Sequence, residues 1–187
     1  MHILPRIVLK LRWLRLKWAG AKVPRGVSIC GRGFLNGDAR GLVCHGSAYF
    51  SDGVRVMIGQ RDGKPGKLHI GDGCFFNHFS IIDCHLSIEI GQRVKVGPHT
   101  YIGDFDHDIS ANNGLQIPDT GNAKPIKIAD DVWIGAGCIV LKGVSIGRGA
   151  VIGAGSVVTR DIPEAMIAMG VPARIVRRRS TSDVPPA

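Results

Sequence analysis

Aromatic side chains are scarce in this sequence of 187 residues, where Phe, Trp and Tyr together make up 6%. Hydrophobic residues nevertheless reach 44%, so the interior has to be built mainly from aliphatic side chains. The chain also contains 26 glycines, which favour many short turns. This composition is not that of a helical bundle, and the length suits one domain that buries its own core.

Other features are missing as well. No run of eighteen apolar residues occurs, so no membrane-spanning helix is expected. The five cysteines form no CxxC pair and follow no secretory signal, which predicts free thiols in a reducing cytoplasm. Acidic residues are outnumbered 15 to 24 by Lys and Arg, giving a formal net charge of +9. An anionic partner is therefore expected: a phosphate-bearing co-substrate, nucleic acid or an acidic membrane face.

A six-residue repeat runs through most of the chain. Its markers are Ile70, Phe76, Ile82, Ile90, Val96, Ile102, Ile128, Ile134, Val140, Ile146, Ile152 and Val158. Six is a multiple of the two-residue period of a strand, so the markers share one face of an extended chain and are predicted to point inward. Gly follows seven of the twelve markers, which predicts a corner with positive φ directly after each strand.

Alternating strands and corners of this kind predict an all-β solenoid, in which each coil buries its interior against its neighbours. Three steps of the repeat close one coil. Residues 24–67 keep the pattern less regularly and are interpreted as degenerate coils.

Two segments resemble the hexapeptide-repeat acyltransferases: VWIGAGCIVLKGVSIGRGAVIGAGSVVT at 132–159 and GVPARIV at 170–176. The resemblance is closest to the O-acetyltransferases of polysaccharide and lipopolysaccharide biosynthesis. It implies a left-handed parallel β-helix over residues 23–177. The residues outside this range predict a helical segment at 1–22 and a loose tail at 178–187.

The N-terminal segment differs in kind from the repeat. Apolar residues recur there at helical spacing among many cations, at Leu4, Ile7, Val8, Leu11, Leu14 and Trp18. Such a basic amphipathic helix either caps the open end of the solenoid or rests on an anionic membrane surface. The sequence leaves both alternatives open.

The repeat is interrupted after Ile102, and residues 103–125 are predicted to form a loop that leaves the coil. The root of this loop carries the stretch DFDHD at 104–108. A histidine can accept a proton near neutral pH, which makes His107 a candidate general base. The resemblance implies the same role, because family members place their catalytic histidine where such a loop leaves the coil.

The acids around His107 do not form a calcium loop. Alternate residues from Asp104 to Ser110 match its first ligand positions, but Ile109 and Leu115 stand where Gly and Glu are needed. A zinc site like that of β-helical carbonic anhydrases would need three histidines across coils, and no histidine pair here has the spacing of those enzymes. No metal is therefore expected to be required.

Four residues are candidates for the acceptor side. The resemblance matches Asn77 to an asparagine that faces the acceptor in sugar and xenobiotic acetyltransferases, with His78 beside it. The alternative for Asn77 is that it merely serves a corner with positive φ. Asp104 and Asp106 flank His107 and are predicted to contact the substrate or to orient the imidazole.

Coenzyme A needs a narrow groove for its pantetheine arm and basic residues for its phosphates. Gly135, Ala136, Gly153 and Ala154 are small corner residues whose stacking leaves such a groove, and amides near Gly135 are candidates to stabilise an oxyanion. By resemblance, the positions that line the cofactor site are Trp133, Ala136, Ala154, Thr159, Arg160, Arg174 and Arg177.

These features predict an acetyl-CoA-dependent O-acetyltransferase. Its expected acceptor is a hydroxyl of a sugar or lipid-linked saccharide in exopolysaccharide or lipopolysaccharide assembly, at the inner face of the membrane. The resemblance implies a homotrimer, in which His107 and the Trp133 groove come from different chains. A route through an acyl-cysteine is not expected, because Cys74 and Cys138 occupy inward positions.

Several alternatives remain. They are a serine, small-sugar or antibiotic acetyltransferase, a zinc-dependent carbonic-anhydrase-like protein, and a non-catalytic scaffold. Nucleic-acid binding is not expected, because only Trp13 and Trp18 are interleaved with the basic residues and both suit a helix's apolar stripe.

Overall fold

The computed structural model of the protein describes residues 6–31, 34–107 and 122–180. Within these ranges one α-helix, α1 (Arg6–Trp18), precedes a succession of short strands, and a 3-10 turn covers Ala39–Gly41. The strands are β1 (Val27–Ile29), β2 (Leu35–Gly37), β3 (Leu42–Cys44), β4 (Ala48–Phe50), β5 (Arg55–Ile58), β6 (Gln60–Arg61), β7 (Lys64–Pro65), β8 (Lys67–Ile70), β9 (Cys74–Phe76), β10 (Ile81–Cys84), β11 (Ser87–Ile90), β12 (Lys95–Val96), β13 (Tyr101–Gly103), β14 (Ile126–Ile128), β15 (Trp133–Ile134), β16 (Ile139–Val140), β17 (Ser145–Ile146), β18 (Val151–Ile152), β19 (Val157–Val158), β20 (Met166–Met169) and β21 (Arg174–Arg178).

Three parallel sheets run along the molecule. Sheet A contains β3, β8, β11, β14 and β17, and sheet C contains β2, β5, β10, β13, β16 and β19. Sheet B contains β1, β4, β9, β12, β15, β18 and β20, and the antiparallel strand β21 pairs with β20 at its end. Ile90 in β11 pairs with Ile70 in β8 and with Ile128 in β14, so each strand lies between its equivalents in the preceding and following coils. The chain therefore visits sheets A, B and C in turn, and residues 27–70 already follow this order.

The interior is filled by the repeat markers. All twelve are buried, which confirms the prediction that they point inward. Parallel coils place equivalent side chains above one another, as in the stacked rings of Phe50 and Phe76, whose centroids are 4.8 Å apart. Full burial of each large side chain contributes about 1.5–3 kcal/mol to stability, so the stack of coils is held chiefly by apolar contact.

The prediction of positive φ directly after each marker was wrong. Positive φ occurs three residues after the marker, at Gly73, Phe79, Arg93, His99, Asp131, Gly137, Gly143, Gly149 and Gly155. The glycines that follow the markers have a different cause. A Cβ on Gly97 would lie 2.6 Å from the amide nitrogen of Ala136, and one on Gly135 would lie 2.6 Å from that of Ala154. Glycine is needed at these corners because the backbone of the next coil passes too close for a side chain.

Helix α1 covers the first coil with one face. Leu16 is buried, and Trp13 packs against the core while its indole nitrogen donates a hydrogen bond to the carbonyl oxygen of Pro24 at 2.8 Å. Most of the apolar stripe noted in the sequence does not lie on this face, because Ile7, Leu11, Leu14 and Trp18 are exposed, whereas Val8 is partly buried. Residues 1–5, with Leu4 of that stripe, lie outside the described ranges. At 13 residues α1 is too short to cross a membrane, and nothing else in the described ranges is a candidate span.

Candidate functional site

The two ends of the loop between β13 and β14 meet at the corner that follows sheet C. The amide of Lys124 donates to the carbonyl oxygen of Asp104 at 2.8 Å. The corner therefore holds the root of the loop on both sides. Residues 108–121, with the predicted acid Asp108, lie outside the described ranges.

Asp104 is fully buried beneath this root. One carboxylate oxygen accepts a hydrogen bond from the amide of His85 at 2.8 Å, and the other accepts from the amides of Leu86 at 2.8 Å and Ser87 at 2.7 Å. Hydrogen bonds to an ionised carboxylate are stronger than neutral ones, so the three bonds tie the loop root to the preceding coil. Because this side chain has no surface to offer a ligand, its geometry favours anchoring over the substrate contact suggested by the sequence.

A buried polar cluster lies next to Asp104. The Asp83 carboxylate is 3.1 Å from Nε2 of His85 and also accepts a hydrogen bond from the Tyr101 hydroxyl. Burial raises the pKa of Asp83, and His85 opposes this rise. Burial and the adjacent carboxylate of Asp83 raise the pKa of Tyr101 far above its usual value, so its hydroxyl remains a hydrogen-bond donor at neutral pH.

His107 is exposed and is supported by aromatic contacts. The Phe105 ring lies 3.8 Å from that of His85 and 5.5 Å from that of His107, measured between centroids. The last pair is perpendicular, with an angle of 90° between planes. The buried cluster thus supports Phe105, which in turn supports an imidazole that is open to a bound substrate.

Asp106 forms an ion pair across the corner. Its carboxylate lies 2.7 Å from the ammonium of Lys142, which is mostly buried, whereas the Asp106 side chain is 55% exposed. The Lys142 ammonium thus fixes one side of Asp106 and leaves the rest open to solvent beside His107.

A second group of predicted residues lies at the corner between sheets B and C. Trp133 is exposed on the outer face of sheet B, and Ala136 and Ala154 are exposed at successive corners. The amide of Gly155 donates to the carbonyl oxygen of Ala136 at 2.8 Å, so these corners stack coil upon coil. A row of backbone groups and small side chains therefore runs along this edge, with an indole beside it.

The amide of Gly135 cannot stabilise an oxyanion. It donates to the carbonyl oxygen of Ile152 at 2.8 Å and is part of the sheet B ladder. Gly153 is likewise engaged, because its amide donates to the carbonyl oxygen of Ala168 at 2.8 Å. The amide of Gly135 is therefore not the oxyanion donor, and a donor among the neighbouring amides stays a prediction.

Asn77 and His78 follow β9 at the same corner. The side-chain oxygen of Asn77 accepts a hydrogen bond from the amide of His78 at 2.8 Å and lies 2.7 Å from Nδ1 of its ring. The positive φ at this corner belongs to Phe79, at 59°. A demand for positive φ therefore does not account for asparagine at position 77.

The last coil carries the predicted cations. Thr159 and Arg160 are exposed directly after β19, and Arg174 and Arg177 are exposed in β21. The Arg177 guanidinium donates to the carbonyl oxygen of Arg178 at 3.2 Å. Arg174 and Arg177 thus make this end of sheet B basic, whereas Thr159 and Arg160 lie after sheet C.

These two groups lie on opposite edges of sheet C. The residues that stand before sheet C are Asn77, His78, Trp133, Gly135, Ala136, Gly153 and Ala154, whereas Asp104, Asp106 and His107 stand after it. Thr159 and Arg160 follow β19 of sheet C, so they lie on the same edge as His107, two coils further along. Within one coil the corner at residues 97–100 and the strand β13 (Tyr101–Gly103) lie between the two edges. A single chain therefore does not bring the candidate base next to the candidate groove.

Asp83, His85, Tyr101 and Lys142 were not singled out in the sequence. One signal was available, since Asp83 directly follows the marker Ile82, where glycine is usual. The other three carry no such signal, because their contacts depend on which residues the coils stack together.

The cysteines are free thiols, and all of them except Cys30 are buried. Cys74 and Cys138 are buried, and burial raises the pKa of both, to about 11 for Cys74. Across residues 6–31, 34–107 and 122–180, no three His, Cys, Asp or Glu side chains are grouped as metal ligands would be.

Comparison with known proteins confirms the hexapeptide resemblance. Residues 125–160 match the family described as "Bacterial transferase hexapeptide (six repeats)". The "Probable acetyltransferase Rv3034c" of Mycobacterium tuberculosis is 36% identical over 179 residues, covering 91% of this chain and 57% of that protein. The galactoside O-acetyltransferase of Lactococcus lactis is 38% identical over 117 residues, covering 62% of this chain and 55% of that protein. The chain thus spans little more than half the length of these curated relatives.

Among solved structures, AntD is an N-acyltransferase from Bacillus cereus in complex with dTDP and 3-hydroxybutyryl-CoA. It superimposes with a TM-score of 0.74 at 21% identity, covering 91% of this chain and 90% of that one. At this identity the likeness shows that the two chains share a fold.

Proposed function

We propose that this protein is a cytoplasmic, acetyl-CoA-dependent O-acetyltransferase that acetylates a sugar hydroxyl in exopolysaccharide or lipopolysaccharide assembly. One observation carries the proposal: an exposed histidine, His107, lies at the break in a hexapeptide repeat, on a loop root that the buried Asp104 anchors. The 38% identity to a galactoside O-acetyltransferase supports a sugar as the acceptor.

In this reaction His107 accepts the proton of the acceptor hydroxyl as its oxygen attacks the carbonyl carbon of the acetyl thioester. The new carbon–oxygen bond forms and the carbon–sulfur bond breaks, after which the imidazolium returns the proton to the departing sulfur. General-base catalysis of this kind contributes about 10²- to 10⁴-fold in rate. Asp104 serves the reaction by holding the backbone that carries the base, because a loosely held base loses much of its effect.

Coenzyme A fits the corner between sheets B and C. The narrow row of stacked corners at Gly135, Ala136, Gly153 and Ala154 suits an extended pantetheine arm, beside the Trp133 indole. Arg174 and Arg177 at the end of sheet B would hold the phosphates, together with Thr159 and Arg160, which follow β19 in sheet C.

On the acceptor side we assign contacts to Asn77, His78 and Asp106. All three are at least partly exposed, whereas Asp104 is buried. Asp104 is therefore proposed as an anchor and not as an acceptor ligand.

The winding of the coils is proposed to be left-handed. Two observations support this: the shared fold with AntD and the resemblance to hexapeptide acyltransferases. An experimental electron-density map would test it directly, and a right-handed course through sheets A, B and C would refute it.

We propose a homotrimer in which each active site combines His107 of one chain with the groove of its neighbour. The separation of the two groups by sheet C supports this, because each chain then holds half of two different sites. A His107→Ala variant and a groove-filling Ala136→Tyr variant, each inactive alone, should restore activity when mixed chains are reassembled. If the two chain types are equally abundant and mix at random, about a quarter of the sites combine an intact His107 with an intact groove.

The control for this mixing experiment is a His107→Ala/Ala136→Tyr double variant reassembled with chains of His107→Ala. That mixture has no intact base and should stay inactive. If the two single variants fail to complement although they form mixed trimers, the site belongs to one chain.

Cysteine chemistry is expected to play no part in turnover. Cys138→Ala should keep transfer within a few-fold of the wild-type rate, because its thiol is buried and its raised pKa keeps it protonated at neutral pH. Steady-state rates together with mass spectrometry under turnover provide the check. An acetylated Cys138 that accumulates during turnover would reverse this conclusion.

The proposed activity is tested by incubating the protein and acetyl-CoA with sugar nucleotides, lipid-linked sugars, serine or chloramphenicol, and by measuring free thiol. Release with a saccharide and an ester in the product would support the proposal. Acetylation confined to amines would replace it with N-acetyl transfer. No release, with no thermal shift on adding coenzyme A, would leave the scaffold alternative in its place.

A further inference from the structure

Helix α1 carries apolar residues on two opposite faces. The inward face consists of Leu16, which is buried, and Trp13, which packs against the core. Arg12 adds hydrogen bonds from its guanidinium to the carbonyl oxygens of Ile29 and Cys30. These contacts hold the helix over the first coil, which it caps.

The opposite face is not used by the cap. Ile7 is 71% exposed, Leu11 60%, Leu14 38% and Trp18 92%. Their spacing of four, three and four residues places them in one row along the helix. We name these four residues the outer stripe. Large apolar side chains grouped on one exposed face mark a contact surface, whereas single ones are ordinary.

Cations border the outer stripe. Lys10 and Lys17 lie on one side of it and Arg15 on the other, by the angular spacing of a helix, and all three are exposed. The helix contains no acidic residue over Arg6–Trp18. A second copy of this helix would bring like charges together around its own stripe, so the charge pattern opposes self-association.

We infer that the outer stripe docks the protein on an anionic lipid surface, while the inward face of the same helix keeps the solenoid capped. The apolar side chains enter the boundary between headgroups and acyl chains, and the flanking cations meet the lipid phosphates. The helix lies in the plane of the membrane surface. This inference rests on the geometry and charge of α1 and does not depend on the proposed enzymatic reaction.

The test is co-sedimentation of the full-length protein with vesicles of phosphatidylcholine, with or without about 30% phosphatidylglycerol. The wild type should bind the anionic vesicles at least tenfold more tightly than the neutral ones. The emission of Trp18 should shift to the blue on binding, and Trp18→Phe should retain binding but lose most of that shift.

Two variants separate the apolar and electrostatic contributions. Leu11→Ser/Trp18→Ser and Lys10→Gln/Arg15→Gln should each weaken binding to anionic vesicles by about 10- to 30-fold. Lys64→Gln/Lys67→Gln removes the same charge from an exposed region remote in sequence from α1 and should bind like the wild type. Unchanged unfolding midpoints establish that the variants are folded.

Three results would overturn the inference. The first is that the wild type binds neither kind of vesicle. The second is that the control pair weakens binding as much as the Lys10→Gln/Arg15→Gln pair does, since the attraction would then be non-specific. The third is that Leu11→Ser/Trp18→Ser changes the oligomeric state in sedimentation but leaves vesicle binding intact, which would assign the stripe to a second copy of the chain.

Discussion

Replacing His107 with alanine is expected to lower the turnover number at least a hundredfold and to leave the affinity for coenzyme A within a few-fold. The rate falls because the variant has no group at the loop root to accept the hydroxyl proton, a loss that typically costs about 10²- to 10⁴-fold. The affinity is kept because the groove residues lie on the far edge of sheet C. Steady-state thiol release and calorimetric titration with coenzyme A measure the two quantities.

His45 provides the matched control for this variant. It is also an exposed histidine, but it lies near the end of β3 and contacts the imidazole of His69, with the ring nitrogens 3.1 Å apart. His45→Ala should therefore turn over at a near-normal rate. Equal rates for His107→Ala and the wild type would remove His107 from the mechanism.

Replacing Asp104 with alanine is expected to lower the free energy of unfolding by about 2–4 kcal/mol, because it leaves the amides of His85, Leu86 and Ser87 without their acceptor. For a chain of this size the loss lowers the thermal midpoint by roughly 5–15 °C. Asp104→Asn should also be destabilising, because its NH₂ group would face amide donors. Thermal and denaturant unfolding measure the effect.

Asp106→Ala is the control for the anchor. It removes a carboxylate two residues away that accepts no hydrogen bond from a backbone amide of the described residues but lies 2.7 Å from the mostly buried Lys142 ammonium. Because this ammonium loses its partner, some destabilisation is expected, but less than for Asp104→Ala, which leaves three amides without an acceptor. If both variants unfold at the same midpoint, the three hydrogen bonds to Asp104 do not hold the loop root.

Much of the fold could be predicted from the sequence because each hexapeptide step has to place an apolar side chain in the interior. Ile90, Val96 and Ile102 had to face the same way, and they do. The backbone conformation at the corners was less predictable, because glycine occurs there for two different reasons. At Gly137 it permits positive φ, whereas at Gly135 it makes room for the next coil, and composition alone does not distinguish these.

The site was only partly predictable for a similar reason. His107 stood out as a titratable residue at a break in the repeat. The role of Asp104 did not, because the amides that bind it lie 17–19 residues earlier and meet it only when two coils stack. Lys142 reaches Asp106 by the same kind of stacking. Contacts between coils depend on which residues of successive coils lie above one another. The six-residue period gives this register only on average, because some steps of the repeat are longer or shorter.

The helix illustrates a third limit. Its apolar residues were visible in the sequence, but both sides of α1 carry them, so periodicity could not decide which side packs inward. Arg12 and Trp13 decide it through hydrogen bonds to carbonyl oxygens of the chain that follows the helix. The outer stripe consists of the apolar residues on the side of α1 that does not pack inward.

A crystal structure with coenzyme A bound would test the central claim most directly. The account predicts the thiol in the groove beside Trp133 and Ala136 of one chain, with the imidazole of His107 from a neighbouring chain within reach of the thiol or one water away, at about 2.6–3.2 Å. A thiol out of reach of every His107, or one that meets the His107 of its own chain, would contradict it.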